Sequence, residues 1–157
     1  MIVPSLIFEV TNTCNLKCRF CYNQIRRANT YILPDHFEKV LKKYKPLFLM
    51  LTGGEITTHP YLKEIIRIGI KKSIKMQIST NGVELNRIIE NIIDSSNKPL
   101  INISLDAADE DHDIIRNSKG LLNRIITTIK ENRKYKIPFT FNCTVFPKNV
   151  VPTLPEG

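Results

Sequence analysis

Long apolar runs are missing from this 157-residue chain, and so are the marks of a secretory signal. No stretch approaches the roughly 18 consecutive apolar residues that a membrane span needs. The opening MIVPSLIFEV lacks a basic region and a small-residue cleavage site. Internal linkers and low-complexity stretches are also absent, and 42% of the residues are apolar. We therefore expect a cytoplasmic protein that stays out of the membrane and forms one domain with a buried core.

Cysteine is scarce, with four residues in the chain, but three of them lie within TNTCNLKCRFCYN as Cys14, Cys18 and Cys21. The fourth, Cys143, is far away along the sequence. Because nothing marks the chain as secreted, a disulfide framework is not favoured. Clustered thiols in an intracellular protein more often bind a metal or carry out redox chemistry.

The C-x3-C-x2-C spacing leaves three kinds of site open. Structural zinc takes four ligands, usually as two separated pairs, and here no fourth cysteine is near. A thioredoxin-like pair at Cys18 and Cys21 leaves Cys14 without a role. A four-iron cluster is normally held by four thiolates, so three thiolates leave one iron open to bind a small ligand. The cluster gives every cysteine of the motif a role, and we favour it over structural zinc.

The chain is basic, with a formal net charge of +8. Such a charge raises nucleic acid as a partner. The Lys and Arg residues, however, are spread over predicted helix faces, and no aromatic residues suited to base stacking are interleaved among them. Solvated helix faces explain most such patterns, so nucleic acid is not favoured.

Strand-like and helix-like segments alternate along the chain. The apolar, strand-like runs cover 5–10, 47–51, 75–80, 100–105 and 139–146. Between them, apolar residues recur with helical spacing in 34–45, 62–69, 85–92 and 122–129. This alternation predicts an α/β fold of parallel strands joined by right-handed crossovers. A barrel-like arrangement and an open doubly wound sheet both fit the pattern.

Each unusual polar motif comes where a predicted strand ends. The cysteine motif follows the first strand, TGGE (52–55) the second and TNG (80–82) the third, while SLDAAD (104–109) closes the fourth. Taken alone, Gly-Gly-Glu and Asn-Gly are ordinary turns. The carboxyl ends of parallel strands form the functional face of such folds, so we expect the motifs to converge there.

Taken together, CNLKCRFC, TGGE, STNG and SLDAADEDHDIIR resemble the motifs of the radical S-adenosylmethionine (radical SAM) superfamily, especially its peptide- and cofactor-modifying members. The resemblance runs from about Leu6 to about Asn149. It implies a partial parallel (β/α) barrel over residues 1–149, with about five βα units of a (β/α)6 core, followed by an irregular tail at 150–157. Because one strand of the family core is missing, we expect a chain that is truncated at its C-terminus.

The same resemblance implies two cofactors, a 4Fe-4S cluster and S-adenosylmethionine (SAM). Cys14, Cys18 and Cys21 would ligate the cluster, whose open iron would bind SAM. An electron from a donor such as a flavodoxin or ferredoxin would cleave SAM to a 5′-deoxyadenosyl radical, which abstracts hydrogen from a peptide or small-molecule substrate. The alternative is a non-catalytic module that binds the cluster and SAM and acts through a partner protein, including a partner chain that completes the barrel.

Further SAM contacts follow from the resemblance. Gly53, Gly54 and Glu55 would contact the methionyl ammonium. Arg116 would pair with the SAM carboxylate, for which a guanidinium is well suited. The remaining cofactor-binding candidates are Ser104 at the ribose or carboxylate, Phe20 and Val145 at the adenine, and Thr80, Asn81 and Asp106 as polar lining. An ordinary structural role is the alternative for each of them, such as a helix cap for Asp106.

Overall fold

Five strands alternate with helices in the computed structural model, which describes residues 1–18, 20, 21 and 29–145. The strands are β1 (Val3–Glu9), β2 (Pro46–Thr52), β3 (Lys75–Thr80), β4 (Leu100–Ser104) and β5 (Phe139–Asn142). The α-helices are α1 (Pro34–Tyr44), α2 (Leu62–Lys72), α3 (Leu85–Ile92), α4 (Asp111–Arg116) and α5 (Leu121–Glu131). Short 3-10 turns cover Ile56–Thr58 and Arg133–Tyr135.

The strands form one parallel sheet whose spatial order is the same as their order in the chain, β1-β2-β3-β4-β5. Each strand pairs in parallel with the next one. A doubly wound sheet reverses its strand order partway along, whereas this sheet does not. Right-handed crossovers without a reversal place all the helices on one side of the sheet, as in a barrel. The predicted α/β fold is thus confirmed, and a partial barrel is consistent with it.

The core lies between the helices and the covered face of the sheet. In β2, β3 and β4 buried residues alternate along the strand, and Leu49, Leu51, Ile78, Ile101 and Ile103 are fully buried there. The strand residues between them are mostly only partly buried, so the opposite face is more open. This one-sided covering leaves the inner face and the strand ends accessible.

The predicted apolar stripes account for the helices that cover the sheet. In α3 the stripe of Leu85, Ile88, Ile89 and Ile92 is buried at each position. Helix α1 begins with Pro34, whose fixed φ suits the first helical turn, and ends before Lys45 in the left-handed conformation. None of the helices in the described ranges is long and apolar enough to cross a bilayer.

Two segments differ from the prediction. Helix α4 was not predicted, because the residues that it buries are His112 and Arg116 rather than an apolar stripe. Strand β5 was predicted to reach residue 146, but it ends at Asn142 because its partner β4 ends at Ser104. Residues 146–157, which include the predicted tail, lie outside the described residues.

Candidate cofactor site

A cleft of about 130 Å³ opens where β1 to β4 end. Its walls come from the loops after these strands and from the end of α4: Cys14, Leu16, Cys18, Phe20, Cys21, Thr52, Gly53, Gly54, Glu55, Ser79, Thr80, Asn81, Ser104 and Arg116. Eleven of the thirteen predicted site residues are among them. The other two are Asp106, which lies behind the wall, and Val145, which is 69% exposed and outside the lining.

The side chains of all three motif cysteines line the same cleft. Cys18 is buried, and its thiol lies 3.7 Å from the carbonyl oxygen of Arg116. Burial raises the pKa of the Cys18 thiol, and the nearby Arg116 guanidinium opposes this effect. The loop thus holds Cys18 against α4, while Cys14 and Cys21 are only partly buried.

Three thiols at one cleft match the number of protein ligands expected for a four-iron cluster with one open iron. Within the described ranges, no three His, Cys, Asp or Glu side chains form a group that would hold one metal ion. The thiolates of a four-iron cluster bind different irons, and Cys14, Cys18 and Cys21 supply three such ligands.

The Gly-Gly loop packs directly on the cysteine loop. The backbone N–H of Gly54 donates to the Thr11 carbonyl at 2.8 Å, and that of Glu55 donates to the Thr13 carbonyl at 2.7 Å. A Cβ on Gly53 would collide with the Thr11 carbonyl oxygen, and one on Gly54 with that of Thr13. The two glycines are therefore required for the close approach of the two loops, in addition to any contact with SAM.

The Glu55 side chain joins the loops that follow β2 and β3. It is 2% exposed, and its carboxylate accepts hydrogen bonds from Thr57 N (3.1 Å), Thr57 Oγ1 (2.9 Å), Thr80 Oγ1 (2.7 Å) and Asn81 N (2.6 Å). Burial raises the pKa of Glu55, and these hydrogen bonds counteract the rise. The contact predicted between Glu55 and the SAM ammonium stays a prediction.

Asn81 connects this network to the cysteine loop. Its Nδ2 donates to Asn15 Oδ1 at 2.8 Å and lies 3.7 Å from Cys14 Sγ as a hydrogen-bond donor. Its Oδ1 accepts from Val83 N at 3.0 Å. Gly82 has a φ of 82°, which is the conformation that an Asn-Gly turn requires.

Arg116 lines the cleft and forms an ion pair with the Asp106 carboxylate. Its Nε donates to Asp106 Oδ2 at 2.5 Å and its Nη2 donates to Asp106 Oδ1 at 3.0 Å. The side chains are 9% and 0% exposed. The guanidinium carbon lies 5.0 Å from the centre of the Phe20 ring. The predicted pairing of Arg116 with the SAM carboxylate stays a prediction, and it would use the guanidinium nitrogens that Asp106 leaves.

Four residues that line or support the cleft were not predicted from the sequence. Leu16, Thr52 and Ser79 line the cleft, and their position next to the quoted motifs was the available signal. His112 is buried behind the wall, where its Nδ1 accepts from Asp106 N at 3.2 Å. Its spacing of four residues from Arg116, on one face of α4, was the signal for a shared role.

Comparison with known proteins identifies the family. The family model of the Radical SAM superfamily matches residues 8–151, and the chain belongs to this superfamily. The cofactors that membership implies are a 4Fe-4S cluster and SAM, in agreement with the three thiols at the cleft.

Its relatives include proteins of different activities. The AdoMet-dependent heme synthase of Methanosarcina barkeri (strain Fusaro / DSM 804) is 33% identical over 159 residues, which cover 94% of this chain and 44% of that protein. The antilisterial bacteriocin subtilosin biosynthesis protein AlbA of Bacillus subtilis (strain 168) is 33% identical over 149 residues, which cover 91% of this chain and 33% of AlbA. The chain thus spans less than half the length of these relatives.

The solved structures show the same fold. Streptococcus suis SuiB bound to S-adenosylmethionine superposes with a TM-score of 0.77 at 21% identity, over 89% of this chain and 34% of SuiB. An AdoMet-bound structure of anSMEcpe superposes with a TM-score of 0.68 at 22% identity, over 91% of this chain and 43% of that one. These likenesses confirm the arrangement of strands and helices.

Proposed function

We propose that this chain is the cofactor-binding part of a radical SAM enzyme. The observation that carries the proposal is that Cys14, Cys18 and Cys21 lie at one cleft together with the loops after β2, β3 and β4. When bound, the reduced cluster supplies one electron to SAM, which breaks its C–S bond and gives methionine and a 5′-deoxyadenosyl radical that abstracts hydrogen from the substrate.

Each wall of the cleft has a proposed part in binding. Cys14, Cys18 and Cys21 hold three irons of the cluster. Gly53, Gly54 and Glu55 contact the methionyl ammonium of SAM, and the hydrogen bonds of Glu55 also hold their loop in place. Arg116 and Ser104 serve the SAM carboxylate and ribose. Phe20 lies against the adenine, with Val145 as a second apolar contact; Thr80, Asn81 and Asp106 support these groups.

The proposed substrate is a peptide, with a small molecule as the second choice. Among the relatives, AlbA is a bacteriocin biosynthesis protein and SkfB of Bacillus subtilis is a sporulation killing factor maturation protein. The heme synthase and the GTP 3′,8-cyclases are the relatives that support a small-molecule substrate. The proposed electron donor is a flavodoxin or ferredoxin, and the proposed location is the cytoplasm, where thiols are kept reduced.

Anaerobic reconstitution tests the proposal. We expect about four irons per chain, followed by 5′-deoxyadenosine when SAM and a strong reductant are added. Cys18→Ala should lose most of the bound iron, whereas Cys143→Ala, at an exposed cysteine outside the cleft lining, should keep it. Iron binding that is equal in the two variants would contradict the assignment of the ligands.

A second candidate function is a module that binds both cofactors but needs a partner chain for catalysis. It is supported by Phe141, which is 53% exposed on β5 at the edge of the described sheet. In that case SAM should change the EPR spectrum of the reduced cluster, while 5′-deoxyadenosine should form only after the partner is added.

A further inference from the structure

The amide of Asn81 is placed as a hydrogen-bond donor to one of the three cysteine sulfurs. Its Nδ2 lies 3.7 Å from Cys14 Sγ, and the backbone N–H of Leu16 lies 3.5 Å from the same sulfur. Cys14 thus receives one donor from its own loop and one from the loop after β3. Asn81 and Cys14 are 67 positions apart in the sequence, so this contact exists only in the folded chain.

The direction in which the Asn81 amide points is fixed from three sides. Its backbone N–H is held by Glu55 Oε2 at 2.6 Å, and its Oδ1 accepts from Val83 N at 3.0 Å. Its second amide proton is directed to Asn15 Oδ1 at 2.8 Å. Because the oxygen is engaged by a backbone donor, the NH2 group must face Cys14 and Asn15. Asn81 is also 6% exposed, which limits competition from water.

A donor at a ligand sulfur changes the redox behaviour of an iron–sulfur cluster. Hydrogen bonds to the sulfurs, net charge and burial are the means by which a protein sets the potential of such a cluster. Reduction adds negative charge, part of which resides on the sulfurs, so an N–H donor stabilises the reduced form more than the oxidised form. Losing the donor should therefore make the cluster harder to reduce.

We propose that Asn81 is a positioning residue that raises the reduction potential of the cluster through Cys14, and that Glu55 holds Asn81 for this purpose. The inference rests on the proposed function, since it needs a cluster on Cys14, Cys18 and Cys21. It gives the buried Glu55 carboxylate a part in redox tuning that requires no contact with SAM.

Redox titration of the reconstituted 157-residue chain, followed by EPR, tests the inference. Asn81→Asp keeps an oxygen for Val83 N and replaces the donor by a charged acceptor. At a fixed potential we expect the ratio of reduced to oxidised cluster to fall at least tenfold, which for a one-electron couple is a shift of about 59 mV to more negative values. Asn81→Ala, which only removes the donor, should shift the potential in the same direction by less.

Asn123→Asp is the matched control, because it makes the same change of charge at an exposed position on α5. Its potential should stay at the wild-type value, since an exposed charge is screened. A wild-type potential in both Asn81 variants, with about four irons bound, would overturn the inference and leave the proposed function intact. A folded Asn81 variant without a cluster would also overturn it, because Asn81 would then be needed for cluster retention rather than tuning. A wild-type chain that takes up no cluster would overturn the proposed function itself.

Discussion

At the scale of single residues, the site depends on charged groups that are kept away from water. Arg116 and Asp106 form a two-point ion pair in which neither side chain is more than 9% exposed. Such a pair is costly to break by removing one partner, because the other charge is then buried without compensation. Its value to the site is that it fixes the guanidinium next to Cys18 and over Phe20.

Replacement of Asp106 measures this dependence. We expect Asp106→Ala to lower the free energy of unfolding by about 3–5 kcal/mol, because Arg116 would lose its buried partner. Urea denaturation followed by circular dichroism measures the loss. Glu38→Ala is the control, since Glu38 forms partly exposed ion pairs with Lys42 and Lys72, and its removal should change little. Equal losses in the two variants would show that the buried pair has no special role.

The buried histidines predict how stability changes with pH. Burial lowers the pKa of His112 from its ordinary value of 6.5, and the Arg116 charge adds to the effect. Burial also lowers the pKa of His59. Below pH 6.5 the unfolded chain therefore binds protons that the folded chain does not. The contribution of these two histidines to the free energy of unfolding should accordingly fall as the pH drops from 6.5 towards their folded-state pKa values, and level off below them.

Denaturation curves over this pH range check the prediction. His112→Gln should reduce the slope of stability against pH below 6.5, whatever its effect on absolute stability. His36→Gln, at an exposed position in α1, serves as the control for the loss of one histidine. A slope that is the same in all three proteins would rule out His112 as a source of acid sensitivity.

At the scale of elements, the site is assembled by contacts between loops. The loop after β2 can lie on the cysteine loop only because Gly53 and Gly54 lack a Cβ. A side chain there would push apart the backbones that the hydrogen bonds of Gly54 and Glu55 connect. The shape of the cleft therefore depends on residues that carry no functional group.

Gly54→Ala tests the packing of these loops. We expect a loss of about 1–3 kcal/mol in stability, typical of overpacking, and reduced iron uptake, because the cysteine loop is displaced. Gly120→Ala provides the comparison: Gly120 has a φ of 73° with open space around it, so the substitution strains only the backbone. Iron content after reconstitution should fall for Gly54→Ala and remain for Gly120→Ala. Full iron uptake by both variants would contradict the packing argument.

Local patterns predicted the elements, but only the fold reveals the contacts between them. The stripe of α3 is visible as four apolar residues with helical spacing, whereas α4 buries His112 and Arg116 and has no such stripe. The motifs could be assigned to one face because each follows a strand. The partners of Glu55 could not be predicted, since Asn81 is 26 positions away and nothing local indicates their distance.

At the scale of the whole molecule, the described sheet has open edges. β5 pairs with β4 on one side, and within the described residues no strand pairs with its other side. Phe141 on this strand is 53% exposed. An unpaired strand with an exposed aromatic residue is a site for pairing with another chain.

We therefore expect the chain to associate with itself as its concentration rises. Phe141→Lys should reduce this association, because a lysine on an edge strand opposes pairing between chains. Light scattering over a range of concentrations measures the effect. Ile114→Lys, which makes the same kind of change at a 63% exposed residue of α4 rather than on the strand, should leave the association unchanged. If both lysines act equally, general charge rather than the β5 edge governs the association.

The strands lie in the sheet in the same order as in the chain, and this affects how the protein can fold while it is being translated. Each strand that leaves the ribosome finds its neighbour already made, so the sheet can grow by one strand at a time. The thiols appear first, in the loop after β1, and Arg116 appears last among the residues that line the cleft. The nascent chain thus carries its thiols exposed until β2, β3 and α4 have been added, and only then can they be enclosed.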